Sequence, residues 1–79
     1  MIIIPIGNMM TPLASPANLG AIIRATRKRQ GLRQDELAGV AGVGIRFIIE
    51  LEAGKPTMQI GKIMAVLAAL GLTLTLESR

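Results

Sequence analysis

Five of the nine cations in this 79-residue chain, Arg24, Arg27, Lys28, Arg29 and Arg33, fall within ten residues. Only five carboxylates oppose the nine, so the net charge is +4 and the isoelectric point is about 10.8. A basic surface attracts phosphate, and an arginine fork near a helix start suits the O6 and N7 acceptors of guanine. Arg46 has that placement, and Lys55 follows in a loop. Other chemistries lack their reagents. The chain has no Cys and no His, which excludes zinc fingers, iron–sulfur sites, thiol nucleophiles, histidine bases and disulfide frameworks. Ser15 and Ser78 have no base nearby in sequence. The expectation is therefore a non-enzyme with no catalytic residue, no metal and no cofactor.

These side chains need a scaffold, and 79 residues provide one small domain. Apolar residues make up 51% of the chain and the mean hydropathy is +0.53. The uncharged stretches 1–23 and 63–76 are interrupted by Pro, Gly, Asn and Thr, so neither meets the roughly 20 apolar helical residues of a membrane span. Pro5 and Gly7 break the apolar start too early for a signal peptide, and no positive segment precedes it. A cytoplasmic protein with no membrane partner is expected. Its excess apolar surface points to a homodimer, since a core of this size rarely supplies more than about 3–5 kcal/mol.

Residues 1–14 carry no helical period. Ile2, Ile3, Ile4 and Ile6 predict either a short strand in an N-terminal arm or a disordered end. Ser15-Pro16 reads as an N-cap followed by proline at the first helical position. Leu19, Ile22 and Ile23 then form one apolar face of a first helix, which ends at Gly31. A second, short helix runs from about Gln34 to Ala41, and a third from about Gly44 to Ala53, with Gly54 and Pro56 beyond. Thr57 is the expected N-cap of a fourth helix whose stripe is Ile60, Ile63, Met64, Leu67 and Leu70. Met58 and Met64 read as core. From residue 72 to 77, leucines alternate with threonines, which is a strand signal.

Spacing within residues 34–53 predicts a helix-turn-helix. With Gln34 as the first position, the fifth is Ala38, the ninth Gly42, the fifteenth Ile48 and the eighteenth Leu51. A small side chain lets the helices cross at Ala38, and glycine accepts the positive φ of a sharp turn at Gly42. Leu37, Val43, Ile48 and Leu51 point inward and set the interhelical angle.

Across roughly residues 19–70 the sequence resembles the Xre/Cro-repressor family of helix-turn-helix domains. Gly31-Leu32-Arg33-Gln34-Asp35-Glu36-Leu37-Ala38 looks like the family's opening, and Ile48-Ile49-Glu50-Leu51-Glu52-Ala53-Gly54-Lys55 like its close. Arg46-Phe47-Ile48, Glu50-Leu51-Glu52, Gly54-Lys55-Pro56-Thr57 and the terminal strand further resemble antitoxins of the HipB type. The resemblance implies an all-α, lambda-repressor-like domain of four to five helices over 15–71, with a C-terminal strand over 72–79 pairing across a dimer. It also implies a double-stranded DNA operator and a HipA-type serine/threonine kinase toxin as partners. An Xre-type regulator without a toxin, or a helical interaction module, are the alternatives.

The third helix is expected in the major groove, with Gly44, Ile45, Arg46 and Ile49 toward base edges. Arg46 would read guanine, and Ile45 and Ile49 would meet thymine methyls. Gln34, Arg33 and Lys55 would contact phosphate. By resemblance, Arg27 and Glu52 form a structural salt bridge. Arg33 stands where the family often has Thr or Ser as N-cap, which is expected to weaken that cap by about 1 kcal/mol. Leu72, Leu74 and Leu76 share one face of the strand and are the expected dimerisation residues. Phe47 reads as packing at the edge of the core or at the dimer interface.

Overall fold

The computed structural model describes residues 2–6, 9–13, 15–57, 59–73 and 75–76. Helix α1 spans Pro16–Arg29, and the Ser15 hydroxyl caps it by accepting the Asn18 N–H at 3.1 Å. Helix α2 spans Gln34–Ala41 and α3 spans Ile45–Glu52. Between them Gly42 has φ +72°, and the Val43 N–H donates to the Ala38 carbonyl at 3.0 Å. That left-handed residue turns the chain sharply enough for Leu37, Ala38, Ile48 and Leu51 to be buried together. Val43 is half-buried and packs against this core from its edge.

The end of α3 and the glycine that follows it are held to α1 by contacts that exclude side chains. A Cβ on Gly20 would lie 2.4 Å from the Leu51 carbonyl oxygen and 2.8 Å from that of Glu52. At the other end of this seam Gly54, with φ +86°, brings its Cα over Ala17, where a Cβ would be 2.9 Å from the Ala17 Cα. Glycine is needed there both for conformation and for space.

Helix α4 spans Ile60–Ala69. It begins later than expected: Gln59 is the N-cap, and the Thr57 hydroxyl accepts the Gln59 N–H at 3.1 Å. The buried stripe is Ile63, Val66, Leu67 and Leu70, joined by Ile22, Ile23 and Leu72 in one core. Ile60 and Met64, both assigned to the core from their spacing, are instead 61% and 51% exposed. The reason is that Lys62 is the only charged residue of α4, so nothing in its sequence marks which apolar face is wet. Met58 lies outside the described residues.

Among the described residues three strands accompany the helices: β1 (Ile2–Ile6), β2 (Met9–Leu13) and β3 (Thr75–Leu76). They form an antiparallel sheet in the order β2-β1-β3, with Ile2 opposite both Leu13 and Leu76. Pro12 falls on the edge strand β2, and Pro5 lies past the two β1 residues that β3 meets. Those are places where a strand tolerates a residue without an N–H. Of the described residues in the expected 72–77, Thr75 and Leu76 are in the terminal strand and Leu72 and Thr73 are not. Leu72 belongs to the core of its own chain, and its N–H donates to the Leu67 carbonyl at 2.8 Å to close α4. Leu74 and residues 77–79 lie outside the described residues.

Candidate nucleic-acid interface

Ile48 and Leu51 anchor α3 in the core, so the opposite side of the helix faces outward. Ile45 and Ile49, one turn apart, are each 46% exposed, and Arg46 beside them is exposed. Gly44 is the N-cap of this helix, with no side chain on the surface it presents. Together these four make an apolar stripe bordered by one guanidinium. Such a surface can place methyl-sized contacts and a hydrogen-bonding fork against base edges.

One shoulder of α3 is a notch lined by Arg24, Arg27, Gln34, Ile49, Glu52 and Ala53. At its base, Arg27 Nε donates to Glu52 Oε2 at 2.7 Å and Nη2 donates to Oε1 at 3.0 Å. The side chains are 9% and 3% exposed. A bidentate pair of this kind is strongly directional, and its hydrogen bond holds the Arg27 guanidinium pKa above its usual value. Arg27 Nη1 also donates to the Leu32 carbonyl at 2.8 Å. Gln34 Nε2 donates to Glu52 Oε1 at 3.2 Å, so the side chain expected at a phosphate is turned toward the ion pair.

Arg33 is capped differently from expectation. A guanidinium cannot accept a hydrogen bond, but the Arg33 backbone N–H donates to Glu36 Oε1 at 2.9 Å. This is the return half of a capping box, and it offsets the missing hydroxyl. The Arg33 side chain extends to Asp35, with Nε 3.0 Å from Oδ1. The hydrogen bond raises the Arg33 pKa and lowers that of Asp35.

The other shoulder is a groove lined by Phe47, Glu50, Leu51, Lys55, Pro56, Thr57, Gln59 and Lys62. Lys55 is ion-paired with Glu50, whose carboxyl is held below its usual pKa by that hydrogen bond. Lys62 lies over the Phe47 ring, 5.5 Å from its centroid. Among the described residues, then, the ion pairs engage Arg27, Arg33 and Lys55, and leave Arg24, Lys28, Arg29, Arg46 and Lys62 without a carboxylate within 4 Å.

The helix-turn-helix family profile matches residues 23–76 of this chain. The chain belongs to the Xre-type helix-turn-helix family. Over 66 residues, it is 61% identical to an uncharacterized HTH-type transcriptional regulator, y4mF, of Sinorhizobium fredii. That match covers 84% of this chain and 87% of the relative. Helix-turn-helix domains bind DNA through the second helix of the motif, which here is α3, with phosphates bordering the groove on either side. The sequence places Arg24 in its basic cluster but gives Lys62, on the other shoulder, no role. Arg24 carried a signal in its position four residues after Gly20, on the same side of α1. No helix among the described residues is long and apolar enough to cross a membrane.

Proposed function

We propose that the chain is a sequence-specific transcriptional repressor that binds a palindromic operator as a homodimer, controls its own operon, and serves as the antitoxin of a HipA-type serine/threonine kinase. The observation that carries the repressor reading is the exposed Ile45–Arg46–Ile49 face of α3, set between two shoulders that hold cations. Arg46 reads base edges there, while Arg33, the start of α2 at Gln34 and Lys55 meet the backbone. The work is done in the cytoplasm, on the nucleoid.

Dimerisation is supported by the position of β3 at the edge of its sheet. An edge strand offers unpaired backbone groups, and a second copy of the same strand satisfies them. Because Leu72 lies in the core of its own chain, the dimer contacts narrow to Leu74 and Leu76. The antitoxin role rests on the HipB-like segments of the sequence, and α3 remains available to DNA if the kinase docks elsewhere.

Footprinting upstream of the chain's own operon tests the repressor reading. Two protected half-sites, separated by one helical turn of about 34 Å or a multiple of it, are expected. Uniform protection of all DNA would overturn it. Sedimentation of Leu74→Arg tests the dimer, and a dimer as stable as the parent's rejects this interface. Pull-down with a HipA-type serine/threonine kinase tests the antitoxin role. Failure to bind that kinase leaves a regulator without a toxin.

A further inference from the structure

Lys55 and Lys62 share one groove of about 320 Å³ beside α3, yet their charges are in different states. The Lys55 ammonium is ion-paired with Glu50. A phosphate approaching Lys55 must displace that carboxylate or lie next to it. Lys62 has no carboxylate within 4 Å among the described residues, and sits over the Phe47 ring. A ring quadrupole attracts the ammonium without cancelling its charge. The ring is itself held in place, because Phe47 is half-buried and packs against the core. It also belongs to α3, next in sequence to Arg46. A flexible lysine stem is thereby fixed at the flank of the reading helix with its positive charge intact.

We infer that Lys62, positioned by the Phe47 ring, is the principal phosphate contact on the α4 side of the recognition helix, with Lys55 subordinate to it because Glu50 neutralises it. This rests on the DNA-binding reading above. It differs from the sequence expectation, which gave that contact to Lys55. Phe47 is a positioning residue in this account and touches no nucleotide.

The test is titration of the full chain with a mixed-sequence DNA duplex at several salt concentrations, since a phosphate contact needs no operator. Each phosphate neutralised contributes about 0.9 to the slope of log affinity against log salt. Lys62→Ala should lower the slope by about that amount, so a fourfold rise in salt weakens it about 3.5-fold less than the parent. Lys55→Ala should lower the slope by less than half as much. Phe47→Leu should weaken binding in the parent but add nothing in the Lys62→Ala background, and Phe47→Tyr should restore it. Should Phe47→Leu unfold, the Lys62 methylene protons still report the ring: they should resonate upfield of free lysine. A parental slope in Lys62→Ala, the full change in Lys55→Ala, or unshifted methylene protons would overturn the assignment. A parent that binds no duplex at all removes the DNA-binding reading and this contact with it, whereas a parent that binds with unaltered variants removes the contact alone.

Discussion

Replacing Gly20 and Gly39 by alanine should move stability in opposite directions, although both glycines lie inside helices. Gly39 is exposed on α2, and a Cβ there meets nothing within 4 Å. Alanine should gain the full difference in helix propensity, about 0.8–1 kcal/mol. Gly20 stands to gain as much locally, but its Cβ would lie 2.4 Å and 2.8 Å from the carbonyl oxygens of Leu51 and Glu52. Close carbon–oxygen contacts settle near 3.3 Å, so α1 and α3 would have to part by about 0.9 Å. Overpacking typically costs about 1–3 kcal/mol. Both obstructing atoms are backbone, which cannot rotate away, so the upper end applies and the net loss is about 1–2 kcal/mol. For a domain of this size 1 kcal/mol corresponds to about 4–8 °C. Thermal melts followed by circular dichroism, at matched protein concentration because dimerisation adds to apparent stability, should thus show Gly39→Ala above the parent and Gly20→Ala below it. A Gly20→Ala protein as stable as the parent would refute the backbone-to-backbone packing of α1 on α3.

Three further outcomes follow from the ion pairs and the reading face. Glu52→Ala should cost about 3–5 kcal/mol in chemical denaturation, because it strands a guanidinium that is only 9% exposed. Asp35 and Glu50 are both held below their usual pKa by cationic partners. Each therefore stabilises the fold above the ordinary carboxylate range, and that contribution is lost as pH falls through the lowered values. Stability should decline on acidification from neutral pH, and less so in Asp35→Asn with Glu50→Gln; a double variant with the parent's pH slope contradicts the pairing. Arg46→Ala should cost about 1–3 kcal/mol on the operator and little on random DNA. Equal losses on both would make Arg46 a phosphate contact.

Much of the helix-turn-helix is legible because its spaced positions are sterically constrained. Ala38, Gly42, Ile48 and Leu51 each have few permitted alternatives, and Ser15-Pro16 and Gly31 punctuate α1. Helix α4 lacks such constraints. With Lys62 its one charge, the stripe through Ile60 and Met64 satisfies the helical period as well as the stripe through Val66, and only the packing decides. The cap at Arg33 was readable in part, since Glu36 three residues on is the acceptor of a capping box. Gly20 announced a close approach within α1 without saying to what. In the N-terminal segment the pairing of β1 with β2 has a local signal, Gly7-Asn8 between two apolar runs, but Pro5 and Pro12 within those runs obscure it. The Phe47–Lys62 contact depends on how α4 lies against α3, a long-range relation that no local pattern encodes.

Helices α2 and α3 have eight residues each, well below the length at which an isolated helix holds together in water. Their mutual orientation, and with it the reading face, must come from tertiary contacts. The buried apolar residues supply most of the free energy, but they tolerate repacking at similar volume. Hydrogen bonds to one carboxylate do not. Glu52, at the end of α3, receives Arg27 from α1 and Gln34 from the first turn of α2, while Arg27 also holds the Leu32 carbonyl in the loop between those helices. One side chain thereby references the phosphate-facing start of α2 to the rotation of α3. Stability and DNA affinity should separate accordingly. Arg27→Met with Glu52→Leu should recover most of the stability lost in Glu52→Ala, since a buried ion pair is often replaceable by apolar residues of similar volume. The same variant should not recover affinity for the operator, because Gln34 no longer has a fixed acceptor on α3. Parental affinity in a stably folded double variant would show that apolar packing alone orients the recognition helix.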